Sequence, residues 1–161
     1  MLYKYIMKNY LFLLVIILIN TFSFESFAEI KKGMWEFVKD SDYCYIGSAP
    51  NKIDMPEGKK RGDTYILVYR LNHSKDAIVQ ISAGYPYKKD LKVSVIIDKS
   101  NFNFYSEDDT AWTNDDNKVI FAMKKGLELS VVGESSRGTK TKDIYTLNGF
   151  TAAYNKLFKD C

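Results

Sequence analysis

A regular alternation of apolar and polar residues runs through most of this sequence and restricts its fold more than any other feature. It is clear in "TYILVYRLN", "AIVQISAG", "VSVIID" and "LELSVVG", at residues 64–72, 77–84, 93–98 and 127–133. A period of two is typical of half-buried antiparallel strands, because successive side chains point to opposite faces of a sheet. Turn sequences such as "NHSKD" and "GYPYKKD" separate these segments.

Other segments extend this pattern. "MWEFVKD" and "YCYIG" predict one or two earlier strands, and "NFNFYS" predicts another in the middle of the chain. Short strands at this spacing predict a mainly β protein, either an antiparallel β-sandwich or a partly open barrel, with about eight strands. A short internal helix and a C-terminal helix complete the predicted fold.

These two helices are predicted where the period of two breaks. Residues 115–126 begin with the cap candidates Asp115 and Asp116, carry lysines near their end, and finish at Gly126. The second helix follows Asn148, a candidate N-cap. Its apolar face comprises Phe150, Ala153, Tyr154, Leu157, Phe158 and Cys161. The last of these residues, a cysteine, should therefore face the body of the protein.

The N-terminus predicts a secretory signal peptide of residues 1–28. Two lysines precede the apolar run "LFLLVIILI" at residues 11–19, and Ser26 and Ala28 fit a small-x-small cleavage pattern. The run is shorter than the roughly 20 residues that a transmembrane helix needs. We therefore expect residues 29–161 to form a single β domain without a transmembrane anchor, located in the periplasm or secreted.

The mature chain would contain two cysteines, Cys44 and Cys161. An even number of cysteines in an oxidising compartment predicts a disulfide. The two residues are too far apart in sequence for a thioredoxin-like motif. The bridge would fasten the last helix onto the first part of the sheet.

The charge of the mature chain is close to zero. Removing Lys4, Lys8 and Glu25 from 23 basic and 20 acidic residues leaves 21 basic and 19 acidic ones, a formal charge of +2. This balance gives no support for nucleic acid or an anionic membrane as the main partner.

Residues 135–150, "SSRGTKTKDIYTLNGF", concentrate hydroxyl and basic side chains. The alternation after Gly138 predicts the last strand, with Thr141, Asp143 and Tyr145 on one face. "SSRG" would form the turn before it, and the glycine would supply a positive φ.

Two interpretations of this turn remain open, of which a solvated hairpin turn is favoured. The alternative is a recognition turn that holds a carboxylate or phosphate. That turn would use Ser135, Ser136, Arg137 and Thr139.

Other reactive side chains form no catalytic or metal-binding pattern. His73, the only histidine, lies in a loop without an orienting partner. The acidic residues of 107–116 lack the spacing of a calcium loop and suit helix capping or a solvated loop. The basic runs at 59–61 and 88–89 are interpreted as solvated turns, and the tyrosines as core and edge residues of strands. We predict no catalytic residue, no metal site and no cofactor.

The segment "AMKKGLELSVVGESSRGTKTKDIYTLNGFTAAY", residues 122–154, closely resembles the C-terminal signature of invasion-associated locus B proteins of Gram-negative bacteria. Upstream, "KKRGDTYILVYR", "GYPYKKDLKVSVIID", the "AW" at 111–112 and the tryptophan of "GMWEF" ahead of a cysteine also fit, as does the final cysteine. The resemblance covers nearly the whole mature chain.

The resemblance implies an exported, mostly β protein of the cell envelope, associated in pathogens with host-cell entry. It implies no catalytic residue. We therefore expect a non-catalytic, virulence-associated protein that contacts an unknown protein partner in the envelope or on a host cell. The alternative is a periplasmic small-ligand-binding β domain, since a sandwich or barrel can enclose a ligand between its faces.

Overall fold

The computed structural model describes residues 30–72 and 74–161 of the chain. The predicted signal peptide and His73 lie outside the described residues. The strands are β1 (Glu36–Lys39), β2 (Tyr43–Ser48), β3 (Lys52–Asp54), β4 (Tyr65–Leu71), β5 (Ile78–Ser82), β6 (Val93–Ile97), β7 (Ser100–Glu107), β8 (Thr110–Trp112), β9 (Glu128–Glu134) and β10 (Lys140–Thr146). The helices are α1 (Asp116–Lys125) and α2 (Phe150–Lys159). No helix in the described ranges is long and apolar enough to cross a membrane.

The strands form one antiparallel sheet in the order β1-β2-β4-β5-β8-β7-β6-β9-β10-β3, which curls into a half-barrel. The predicted mainly β fold, with a partly open barrel as one of its two forms, is thereby confirmed. The described chain has ten strands where the sequence predicts about eight. The two extra strands, β3 and β8, are three residues long, too short to show an alternation.

Strand β7 joins the two halves of the sheet. Its first part, residues 100–104, pairs with β6, and its last part, residues 105–107, pairs with β8. A single long strand therefore turns the sheet from one half to the other, which produces the curl.

The core lies on the inner, concave face. Val93, Val95 and Ile97 of β6 are buried there, as the alternation predicts. Both helices pack on this face and bury Val119, Ile120, Met123, Phe150, Ala153 and Leu157. Full burial of a large apolar side chain contributes about 1.5 to 3 kcal/mol each.

Strand β4 is apolar on both faces. Ile66 and Val68 are fully buried on the inner face, while Tyr65, Leu67 and Tyr69 point outward and stay half-buried. The sequence grouped these outward residues on one face but did not show that the opposite face forms the core. The outward face of β4 is therefore available for another role.

The helix ends agree with the sequence for α1 and disagree for α2. The Asp115 side chain accepts a hydrogen bond from the Lys118 N–H at 3.1 Å, and Gly126 follows the helix. The prediction that Asn148 caps α2 is wrong, because Gly149 occupies the cap position with φ of 84° and no side-chain cap. A positive φ favours glycine. The helix therefore begins at the left-handed backbone conformation of Gly149 and not at a side-chain cap.

The structure joins Cys44 of β2 and Cys161, beyond α2, at disulfide distance, with the Cα atoms 5.9 Å apart. Two neighbouring contacts hold the same end of α2. Lys39 Nζ donates to the Asp160 carbonyl at 2.9 Å, and an Arg70 N–H donates to the Leu157 carbonyl at 3.3 Å. Together these contacts fix the last helix on the inner face of β1, β2 and β4.

We expect non-reducing peptide mapping of the natural protein to show the Cys44 and Cys161 peptides linked. Replacing both residues with alanine should lower the free energy of unfolding by about 4 to 5 kcal/mol, because the closed loop is long and its closure restricts the unfolded chain. Urea denaturation measures this loss. A reductant should destabilise the wild type and leave the double variant unchanged; free thiols at both positions would contradict the pairing.

Candidate functional site

An aromatic surface covers the outer face of the first half of the sheet. Strand register places Tyr43 opposite Leu71 and Tyr45 opposite Tyr69. It also places Trp112 between Gln80 and Tyr105. Residues directly opposite each other lie on the same face. We define the aromatic face as Tyr43, Tyr45, Tyr65, Leu67, Tyr69, Leu71, Ile78, Tyr105 and Trp112.

The aromatic face is exposed at its edges and packed in its middle. Tyr43, Leu71 and Tyr105 are 36%, 53% and 49% exposed. Trp112 meets the Tyr69 ring edge-on at 6.5 Å between centroids. No described helix covers this face, since α1 and α2 pack on the opposite side of the sheet. A partly exposed surface rich in aromatic side chains is typical of an interaction surface.

The polar turn between β9 and β10 has the predicted hairpin geometry. The Ser135 N–H donates to the Thr139 carbonyl at 2.8 Å, and the Gly138 N–H donates to the Ser135 carbonyl at 2.8 Å. The Thr139 N–H donates to Ser135 Oγ at 3.1 Å. Gly138 has φ of 80°, as expected. Residues 135–139 therefore form the predicted turn between the last two strands.

This turn also lines a cleft. The Ser136 N–H donates to the Pro86 carbonyl at 2.8 Å, which docks the turn on the segment after β5. Opposite it stands the loop between β3 and β4. We define the basic cleft, of about 270 Å³, by Lys59, Lys60, Arg61, Tyr85, Ser135, Ser136, Arg137 and Thr139. The four residues predicted for a recognition turn thus come together, beside a basic run from a distant part of the sequence.

Arg61 is not solvated, contrary to the sequence interpretation of residues 59–61. Its side chain is 5% exposed and pairs with Asp143 of β10, which is 3% exposed. One guanidinium nitrogen donates to Asp143 Oδ2 at 2.9 Å and to the Ala83 carbonyl at 3.2 Å, and the other donates to Asp143 Oδ1. The bidentate geometry ties the basic loop to the inner face of the last strand.

The direction of the pKa shift of Arg61 is consistent with this buried ion pair. Burial alone would lower the pKa of Arg61, but the hydrogen bond and negative charge of Asp143 outweigh it and raise that pKa. The guanidinium therefore stays charged at physiological pH. Its charge is neutralised within the protein, so Arg61 supplies position more than net charge to the basic cleft.

Three tyrosines surround the ion pair. The Tyr85 hydroxyl lies 2.6 Å from Thr141 Oγ1, and the Tyr85 ring centroid lies 5.8 Å from the guanidinium carbon of Arg61. Burial raises the pKa of Tyr85, Tyr87 and Tyr145, most strongly for the last two, which lie deepest. All three hydroxyls are therefore neutral at physiological pH, and the region keeps the low polarity that strengthens a buried ion pair.

The acidic residues of 107–116 are dispersed. Asp115 caps α1, and the Asp116 carboxylate accepts the Val79 N–H at 2.8 Å. Burial raises the pKa of Asp116 in spite of that hydrogen bond. Within residues 30–72 and 74–161, no group of three or more His, Cys, Asp or Glu side chains has the arrangement of a metal site.

The family model described as "Invasion associated locus B (IalB) protein" matches residues 39–158. The chain belongs to this family. No curated protein matches the sequence. The crystal structure of invasion associated protein B from Bartonella henselae is similar, with a TM-score of 0.57 and 15% identity, over 80% of this chain and 94% of that one. At this identity the similarity shows the fold.

The segments that resemble this family meet at the basic cleft. Residues 59–70 bring the basic loop, residues 84–98 bring Tyr85, and residues 122–154 bring the turn and Asp143. The sequence alone did not show this meeting. The one available signal was Asp143, a carboxylate on the same predicted face as Tyr145, which needs a cationic partner if that face is buried.

Removing one partner of the buried ion pair should cost much more than removing both. Arg61→Met leaves Asp143 buried without a partner and should lower the free energy of unfolding by about 3 to 5 kcal/mol. Arg61→Met with Asp143→Val removes both charges and should recover most of that loss. Urea denaturation at pH 7 compares the two variants. A cost below about 1 kcal/mol for Arg61→Met would show that the pair behaves as a solvent-exposed one.

High pH should destabilise the protein through its buried tyrosines. Unfolded tyrosines ionise near pH 10, whereas the raised pKa of Tyr145 keeps its proton on in the folded state. Stability is therefore complete below about pH 10 and falls as the pH rises further. Tyr145→Phe should make this fall shallower by about 1 kcal/mol per pH unit. Urea midpoints between pH 9 and about 11.5 test this, with exposed Tyr43→Phe as control; equal slopes in both variants would contradict it.

Proposed function

We propose that this protein is an exported, non-catalytic component of the cell envelope that acts by protein–protein contact through the aromatic face. Family membership supports an invasion-associated-locus-B-like role. The N-terminal sequence supports export to the periplasm or beyond. The observation that carries the proposal is the partly exposed aromatic face on the outside of the sheet, over which no described helix lies.

The composition of the aromatic face suits a protein partner. Tyr and Trp are enriched at protein interfaces because they combine large apolar area with a polar group. Burial raises the pKa of Tyr45 and Tyr69, so both hydroxyls stay neutral and able to donate a hydrogen bond. Packing among the rings also reduces the conformational entropy that binding would remove.

The alternative function, a small-ligand-binding β domain, would need room inside the half-barrel. That interior is occupied by the protein's own side chains. Phe104, Met123, Phe150 and Leu157 are fully buried there, and both helices lie across it. The packing of the inner face therefore supports a function in protein–protein contact over one in small-ligand binding.

Site-specific photocrosslinking tests the proposal in cells of the source bacterium. A photoreactive amino acid at Tyr105 should give an adduct of defined mass with a protein partner. The same amino acid at Phe121, which is 59% exposed on α1 but outside the aromatic face, should give none. Adducts at both positions, or at neither, would contradict a contact role for the aromatic face.

Substitution on this face should weaken binding without unfolding the protein. Tyr105→Ser and Leu71→Ser should each reduce affinity for the captured partner by about tenfold, because both side chains are exposed on the aromatic face. Phe121→Ser is the matched control and should leave affinity unchanged. Native mass spectrometry of protein purified from its source separates the alternatives, since a retained small molecule would favour the ligand carrier.

A further inference from the structure

The basic cleft is a second surface, separate from the aromatic face, and its lining carries a net positive charge. Lys59, Lys60 and Arg137 line it. None of the three forms an ion pair with a described residue. None of the described residues that line the cleft is acidic. The buried Asp143 carboxylate is already paired with Arg61.

Hydroxyl groups and apolar groups share the walls. Ser136, Thr139 and Arg137 line it together with the apolar groups of Met55, Tyr85 and Pro86. An oxyanion would use the cations and hydroxyls. A free inorganic anion would leave the apolar walls unused, whereas a peptide with acidic and apolar side chains would contact both.

The size of the basic cleft also indicates part of a longer ligand. Its volume of about 270 Å³ is just below the range of sites that enclose a whole small molecule. A neighbouring cleft of about 490 Å³ shares Met55, Lys60 and Arg61 with it. Ala49, Pro50 and Ile53 supply apolar walls there, beside the charged side chains of Lys32 and Asp63. A ligand that continues across the loop would meet cations first and an apolar surface next.

We propose that the basic cleft binds an acidic peptide segment of a partner protein, with Arg137, Lys59 and Lys60 contacting its carboxylates. Acidic motifs are commonly recognised by clustered cationic side chains. The Arg61–Asp143 pair acts as a positioning element, because it holds the loop that carries the two lysines against the turn that carries Arg137. The inference that the ligand is part of a protein rests on the proposed contact function. The inference that the ligand is negatively charged rests on the basic cleft alone.

Fluorescence polarisation tests this inference with purified mature protein, residues 29–161. The probe is a fluorescein-labelled peptide that alternates glutamate and leucine, compared with one that alternates serine and leucine. The glutamate peptide should bind, and binding should weaken as sodium chloride is raised from 50 to 500 mM, since exposed charges are screened. Equal affinity for the two peptides would overturn the inference.

Two triple variants test whether the glutamate peptide binds in the basic cleft. The triple variant Lys59→Ala, Lys60→Ala, Arg137→Ala should weaken binding of the glutamate peptide by about tenfold or more. The matched control Lys99→Ala, Lys118→Ala, Lys156→Ala removes the same charge from exposed positions outside the cleft. Unchanged circular dichroism and melting temperature in both variants show that folding is intact. Equal weakening by the two triple variants would overturn a specific site in favour of net charge.

Two further outcomes distinguish the acidic-peptide inference from a simple anion site and from the aromatic-face proposal. Displacement of the peptide by inorganic phosphate at equal concentration would overturn the peptide ligand and leave a simple anion site. Loss of the Tyr105 crosslink together with retained glutamate-peptide binding would overturn the aromatic-face proposal and support the cleft inference. The two proposals can therefore fail independently.

Discussion

The buried bidentate ion pair between Arg61 and Asp143 determines how the basic cleft is assembled. These residues lie 82 positions apart in sequence, and both side chains are almost fully buried. Two charges removed from water are tolerated only if they meet in good geometry. That requirement fixes the loop between β3 and β4 against the last strand and brings it alongside the polar turn. The pair itself contributes no net charge, so the positive character of the basic cleft comes from the exposed cations around it.

The curled sheet gives its two faces different roles. The inner face is filled by α1 and α2, and the contact between Cys44 and Cys161 holds α2 there. Because the only two described helices lie inside, neither of them covers the outer face of β2, β4, β5, β8 and the end of β7. Its half-buried rings are supported by a rigid sheet and a fully packed core behind them. A surface of this kind is preorganised, and preorganisation lowers the entropic cost of association.

Local patterns in the sequence predicted the local structure well. The period of two located most strands, the apolar stripe located α2, and Gly138 marked the positive φ of the hairpin turn. Contacts between residues that are distant in sequence could not be predicted from these local patterns. Ile66 and Val68 alternate with outward aromatic residues that are just as apolar, so the pattern of β4 does not say which face is the core. Arg61 looks solvated beside two lysines, because only the folded sheet places Asp143 beneath it.

The aromatic face and the basic cleft would contribute differently to any complex they form. Burial of aromatic surface gives affinity that depends little on salt, because the hydrophobic effect does not require charge. The exposed cations of the cleft act over about a Debye length, roughly 8 Å at physiological ionic strength, and mainly affect the rate and orientation of encounter. If one partner contacts both, its association rate should depend on salt through the cleft while its dissociation rate depends on the aromatic face. The two surfaces would then divide recognition, with the cleft selecting an acidic partner and the aromatic face holding it.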